Sequence, residues 1–250
     1  MNRDFVVTPA HFTRYLRHDL GLRPSQMRLP ACGVIVFGTE DFRSFRQTFR
    51  GAAVSWNRFV AVGRAGETPA VVSRSPIGAP AAAITMDEMA ALGVRNFLVF
   101  GACGSLIEDL RIGELVVPRF AVSEEGTSRL YGNPKVPRPN PQLVRRVIAA
   151  CKHRSLRWRE GGTWTVDAPY RESRSRARAL ARRGVVAVEM EASALWAVAR
   201  ARRLRVASLF VVSDELSGGG WNPGFRDPRY RAGKRKAIRA LVDVIAGHNG

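Results

Sequence analysis

IGAPAAAITMDEMAALGVRNFLVFGACGSL, residues 77–106, decides how the rest of the chain is read. Apolar residues recur at helical spacing from Ala79 to Leu92, and Gly93 supplies a stop signal. Asn96–Phe100 then forms a largely apolar run, the pattern of a strand buried on both faces. A similar run, Pro69–Ser73, precedes the helix. Strand, helix and strand at this spacing make a parallel crossover unit, which places the chain among α/β proteins.

Working upstream, CGVIVFG at residues 32–38 reads as another buried strand, Val54–Val62 as a further strand and Asp41–Arg50 as a helix. Thr8–Gly21 predicts a short helix with Thr8 as its cap and Pro9 at its first position. Downstream, Glu114–Val122 predicts a strand, Pro134–Pro141 a proline-rich loop and Gln142–Lys152 a helix. Arg171–Arg182 reads as a basic helix with a solvated face. Val185–Val188 is a strand running into the helix EASALWAVARARR, and Ala207–Val212 is another buried strand. The loop SGGGWNPGFRDP separates it from a last helix around Lys234–Ala246. Neither a repeat nor a linker divides the 250 residues, a length that suits one α/β domain.

Composition narrows the function classes. Hydrophobic residues make up 46% and charged residues 24%, as in an ordinary globular protein. Apolar runs fall well short of the ~20 residues a membrane helix needs. MNRDFVVTPAHF lacks the layout of a signal peptide, so a cytoplasmic protein with no membrane partner is expected. Cys32, Cys103 and Cys151 show no metal-ligand spacing and read as buried free thiols. The net charge of +19 comes almost wholly from arginines scattered over many segments, without a zinc-finger, RNA-binding or basic-zipper pattern. Nucleic acid is therefore not the expected partner. The charge does favour encounter with anionic ligands, phosphate included.

Ligands of alternating α/β folds collect beyond the carboxyl ends of strands. Five such ends carry unusual residues: Gly38 with Thr39, Ser75–Gly78, Gly101–Gly104, Glu189-Met190-Glu191 and Ser213-Asp214. In VEMEAS a carboxylate can accept hydrogen bonds from two vicinal ribose hydroxyls, with Met as a polarizable surface beside it. The plainer reading is two carboxylates favouring a helix N-terminus. In VVSDE, Asp214 suits a general acid, or alternatively a cap. In GACGSL two glycines let backbone approach a planar or anionic ligand, or simply form a tight turn. The third glycine of the dinucleotide fingerprint is missing.

Taken in this order and spacing, IGAPAAAITMDEMAALGVRNFLVFGACGSL, VAVEMEASAL and VVSDE resemble the nucleoside phosphorylase superfamily. That superfamily contains uridine phosphorylases, hexameric purine nucleoside phosphorylases and methylthioadenosine nucleosidases. The resemblance runs from about Gly33 to Val244. It implies an N-terminal helix and lead-in at 1–32 and a catalytic domain at 33–250. The implied fold is a twisted mixed sheet, partly closed into a barrel and flanked by helices. Homodimers, or hexamers built as trimers of dimers, are implied as well. Position by position, Glu191 would bind the ribose hydroxyls, with Met190 beneath the sugar and His11 donated from a neighbouring subunit. Asp214 would protonate the leaving base. Cys103, Gly104, Pro169, Tyr170 and Glu189 would line the base. Gly38 and Arg43 would hold phosphate as co-substrate, with Arg74 also near. No metal or organic cofactor is implied.

The departures are specific. Phosphorolytic members carry an Arg two residues before the first Gly of the glycine motif and a Ser or Thr after that Gly. Here Val99 and Ala102 stand there, so two phosphate ligands are missing. The hydrolytic members use a first-loop carboxylate to orient water, a place close to Glu40 and Asp41. The expectation is phosphorolysis of a purine or modified nucleoside. Hydrolysis, uridine-type phosphorolysis and a catalytically dead nucleoside binder remain as alternatives. EEGTSRLY is uridine-phosphorylase-like, but the Gln and Arg that clasp uracil fall near Ser173 and Ser175. SGGGWNPGF reads as a lid or a plain surface loop.

Overall fold

The computed structural model describes residues 5–132, 137–218 and 220–247. Two helices lead in, α1 (Pro9–His18) and the single turn α2 (Pro24–Met27). β1 (Cys32–Val36) enters the core and is followed by α3 (Thr39–Thr48). β2 (Ala52–Val54), β3 (Asn57–Ala65) and β4 (Thr68–Arg74) form an antiparallel meander. The crossover helix α4 (Ala79–Ala91) leads to β5 (Asn96–Ser105). β6 (Leu115–Glu124), α5 (Pro141–His153), β7 (Trp158–Val166), α6 (Arg174–Ala181) and β8 (Val185–Glu189) come next. α7 (Ala192–Ala201), β9 (Arg205–Glu215), β10 (Asn222–Pro223) and α8 (Pro228–Ala246) complete the chain.

The strands follow the order β10-β9-β6-β7-β8-β5-β1-β4-β3-β2, and β9 also pairs with β5. That extra pairing closes β5, β8, β7, β6 and β9 into a five-stranded mixed barrel, with the remaining strands of the β1 side as an extension. β4 and β5 both run parallel to β1, so the decisive crossover passes over one intervening strand. Phe97, Phe100, Phe210, Phe45 and Trp196 are buried around this centre. Each such side chain contributes roughly 1.5–3 kcal/mol of apolar burial.

The differences from the sequence reading have local causes. The single strand expected at Val54–Val62 is the hairpin β2–β3, which turns at Ser55–Trp56 without a Gly or Pro to mark it. β7 escapes the sequence reading because Gly161 and Gly162 interrupt its apolar pattern. A Cβ on Gly162 would lie 2.5 Å from the Phe120 ring, and one on Gly161 would lie 2.6 Å from Val186. The glycines admit side chains from both neighbouring strands. GACGS and SDE do not lie beyond strands: β5 and β9 run through them, with a bulge at Cys103/Gly104. The basic helix is shorter than expected, since Pro169–Arg171 forms a 3-10 turn before α6. Cys103 and Cys151 are buried free thiols, whereas Cys32 is only half-buried. The expected Pro134–Pro141 loop and the glycine run of SGGGWNPGF lie partly outside the described residues. Among the described residues no helix is long and apolar enough to cross a membrane.

Candidate active site

Gly104 organises the site. In β5 it pairs with Val188 of β8 on one side and Asp214 of β9 on the other. Hydrogen-bonded strands lie about 4.8 Å apart, so Val188 and Asp214 face each other across about 10 Å. A Cβ on Gly104 would meet Leu216 at 2.4 Å and an Asp214 carboxylate oxygen at 3.2 Å. A side chain at this position would crowd both the acid and Leu216.

The Glu189-Met190-Glu191 turn follows β8 directly, and its two carboxylates do different work. Glu189 Oε2 accepts the backbone N–H groups of Glu191 and Ala192 at 2.8 and 2.7 Å. Its Oε1 accepts the hydroxyls of Thr165 and Thr163 at 2.6 and 3.3 Å. Glu189 thus satisfies the open first turn of α7. Burial pushes its carboxyl up, opposed by these four donors. Both oxygens are thus engaged inside the protein, and Glu189 braces the turn.

Glu191 is held by the Gly78 N–H, which donates to Oε1 at 2.7 Å. Gly78 opens α4 at φ +108°, a conformation L side chains rarely adopt, and this turns its N–H toward Glu191. Glu191 is buried, and burial together with the nearby Glu189 raises its carboxyl to about 8, against the N–H groups of Gly78 and Met190. With fewer donors on it than Glu189 has, Glu191 keeps acceptor capacity for a ligand. Met190 is half-buried beside it.

Asp214 is held from both sides. The Ser213 hydroxyl donates to Oδ1 at 2.6 Å, and the Trp221 indole N–H donates to Oδ2 at 2.9 Å. Cys103 is buried, its thiol pushed well up by burial and then by Asp214 and Glu189. Tyr230 of α8 is buried, and its phenol is pushed up by burial and by Asp41, Cys103 and Asp214. Glu172 is half-buried and raised to about 7 by burial and by Asp214.

At the first loop, Gly38 caps α3 without a side-chain cap, leaving the first N–H groups of the helix without one. The Arg74 guanidinium donates to Thr39 Oγ1 at 2.6 Å and lies 3.9 Å from the centre of the Phe59 ring. Arg43 is exposed, four residues after Thr39 and so on the same face of α3. Asp41 is buried against Gly38 and paired with Lys234 at 2.9 Å. Burial raises its carboxyl above the usual range, with Lys234 acting in the opposite direction. Glu40 is exposed and 3.5 Å from the same ammonium. Val99 is fully buried in β5 and Ala102 is exposed, and neither side chain offers a polar group.

Three other expected residues are exposed in the single chain. Pro169 and Tyr170 are exposed, and the Tyr170 ring, completely so, packs on nothing among the described residues. His11 lies on α1 and receives the Thr8 N–H at 3.0 Å, an N-terminal cap on an exposed helix. Glu125 of EEGTSRLY accepts from Ser123, Thr127, Ser128 and Ser193, so it braces α7. Burial opposes this, but the hydrogen bonds led by Ser128 outweigh it and lower that carboxyl. Gly78, Glu172, Tyr230 and Lys234 join the site without having been given a role in it by the sequence. Gly78 carries a signal, being in the Ser75–Gly78 strand end; the other three look like surface residues in sequence. Among the described residues no cluster of three His, Cys, Asp or Glu could hold a metal ion.

The family model described as "Phosphorylase superfamily" matches residues 33–246. The chain belongs to the phosphorylase superfamily. Among its relatives, a guanosine phosphorylase of Halorubrum lacusprofundi is 32% identical over 183 residues, 71% of this chain and 76% of that protein. A DeoD-type purine nucleoside phosphorylase of Brevibacillus brevis is 32% identical over 151 residues, 59% of this chain and 64% of that protein. Among solved structures, a Toxoplasma gondii purine nucleoside phosphorylase in complex with immucillin-H superposes with a TM-score of 0.80 at 20% identity. It covers 90% of this chain and 93% of its own. A Vibrio fischeri uridine phosphorylase gives 0.78 at 19% identity, covering 89% and 95%. Both have the phosphorylase-superfamily fold found here, with its mixed barrel.

Proposed function

We propose that this protein cleaves the N-glycosidic bond of purine nucleosides by phosphorolysis, yielding free base and ribose 1-phosphate. The observation that carries this reading is Gly104, flanked by the Glu189–Glu191 turn and by Asp214 at about the span of a nucleoside. Glu191, anchored by Gly78, accepts the ribose hydroxyls, and Met190 supports the sugar. Asp214, in its acid form, gives a proton to N7 as the C1′–N9 bond breaks and its electron pair passes to the base. A phosphate oxygen forms the new bond to C1′, and the proton of monohydrogen phosphate restores Asp214. The rate gain comes from groups that meet charge developing in an oxocarbenium-like transition state.

Phosphate is taken to sit at Gly38, with Arg43 and with Arg74, which stands in for the polar side chains that Val99 and Ala102 do not supply. Arg74 is partnered by a hydroxyl and an aromatic face, and among the described residues no carboxylate pairs with it. The chemistry calls on phosphate as co-substrate and on no organic cofactor or metal. Purines are favoured by Asp214, by Ser173 serving as the cap of α6, and by the names of the relatives. A homo-oligomer fits the exposed apolar residues Phe5, Val6, Val7, Ile77, Ile84 and Leu130, and a cytoplasmic location belongs to the same proposal. In such an oligomer His11 of one copy would reach the site of another, and Pro169 and Tyr170 would gain a cover.

Hydrolysis is the second reading, favoured by the buried Asp41 carboxyl at the first loop. One experiment tests both: base release from a nucleoside panel with and without phosphate. Ribose 1-phosphate formed only with phosphate supports phosphorolysis. Free ribose at an unchanged rate overturns it.

A further inference from the structure

We propose that Trp221 is a positioning residue that selects which oxygen of Asp214 carries the transferred proton and stabilises the carboxylate left behind. This rests on the reading of Asp214 as the acid. The segment bearing Trp221 is strapped to the barrel. Asn222 and Pro223 of β10 pair with Glu215 and Asp214. The Asn222 amide donates to Glu215 at 3.1 Å, and the Gly224 N–H donates to the Ser213 carbonyl at 2.8 Å. Gly224 itself fits only as glycine, since a Cβ would lie 2.5 Å from Ile112. Trp221 also meets Phe225 at 6.3 Å between centroids, and Phe225 meets the buried Tyr230 edge-on at 6.4 Å. An exposed tryptophan is thereby held in one place, with its N–H on Asp214.

An indole N–H donates and never accepts. The oxygen it holds, Oδ2, is therefore the poor site for the carboxyl proton. Oδ1 faces the Ser213 hydroxyl, which can turn from donor to acceptor and can also bond the Cys103 carbonyl at 3.3 Å. The proton accordingly resides on Oδ1 in the resting enzyme, while Oδ2, the oxygen nearest Gly104, is held as an acceptor. As the proton leaves, Asp214 becomes an anion and the bond from Trp221 becomes charge-assisted, about twice as strong as a neutral one. That gain exists in the transition state and not in the ground state, so it appears in kcat.

The test compares guanosine with 7-methylguanosine, whose base is already cationic and leaves without receiving a proton. Trp221→Phe keeps the ring and removes the donor. Its kcat on guanosine should fall about 10- to 100-fold with KM within about twofold, because a hydrogen bond to a charged group is lost. Its kcat on 7-methylguanosine should stay within about twofold of the parent. Trp221→His, which retains a ring N–H, should recover part of the guanosine rate. Equal losses on both substrates, or no loss on guanosine, overturn the proposal. Asp214→Asn is run alongside. If it also fails to discriminate between the substrates, the acid reading has failed; if it discriminates and Trp221→Phe does not, only the role of Trp221 has failed. A melting temperature matching the parent shows that each variant is folded.

Discussion

The proposed sugar end and the proposed phosphate end of the site are built on opposite plans. At the sugar end two buried carboxyls are fixed by backbone N–H groups and by two threonine hydroxyls. At the phosphate end Thr39, Glu40 and Arg43 are exposed, and Arg74 rests on one hydroxyl and one aromatic ring. A neutral sugar offers only hydroxyls, so its recognition needs acceptors placed in advance and kept from water. A dianion is drawn in by charge over longer distances, and a cationic surface group can swing onto it. On the proposed reading, geometry does the selecting at one end and charge does it at the other.

The comparison breaks most visibly at Glu191. Glu191→Gln keeps the bond from Gly78 but loses the anionic acceptor for two hydroxyls, so kcat/KM should fall on the order of 10³-fold. Steady-state kinetics on a purine nucleoside reads this, and a loss under tenfold would put the ribose elsewhere. Next comes the scaffold. Glu189→Ala leaves two buried N–H groups unanswered and should lower stability by about 3–5 kcal/mol, seen in chemical denaturation. A change near zero would mean water replaces the carboxylate freely and the sugar end is not rigid.

At the other end, Arg74→Gln should raise KM for phosphate about tenfold and leave KM for nucleoside unchanged. Equal rises in both would make Arg74 a general prop of the loop. The smallest effect is a pH slope. Glu191 titrates near 8 when folded against 4.5 for an ordinary glutamate, so the folded protein holds the proton more tightly. Stability from this group is intact below about 4.5 and is lost as pH rises toward 8. In the ligand-free protein, Glu191→Gln should therefore gain about 5 °C in Tm over the parent at pH 8.5 and far less at pH 5. A difference independent of pH would show that Glu191 is ionised throughout.

The crossover at 77–106 is readable because α4 stops before Gly93 and β5 opens with a largely apolar run. The hairpin β2–β3 and the strand β7 are not, because Ser55–Trp56 carries no Gly or Pro and Gly161–Gly162 imitate a turn. The site divides the same way. Glu191 and Asp214 stand out as carboxylates at the ends of apolar runs. Yet Glu189 and Glu191 are indistinguishable in a row of letters; their roles separate only when the chain turns and one carboxyl meets the α7 amides while the other meets Gly78. Tyr230 and Lys234 reach the site from α8, whose basic N-terminal half reads as solvated surface. Tyr170 shows the converse, a promising aromatic that this chain leaves open to water.

The Gly78 N–H joins segments 113 residues apart, and it ends on the carboxyl proposed as the sugar's acceptor. That single amide proton is thus a spectroscopic reporter. Sugar binding that ionises Glu191 would strengthen the bond and move the Gly78 resonance downfield, and a phosphate ion alone would leave it still. An isotope-labelled sample could record occupancy of the ribose subsite from one peak, without a turnover and without a dye.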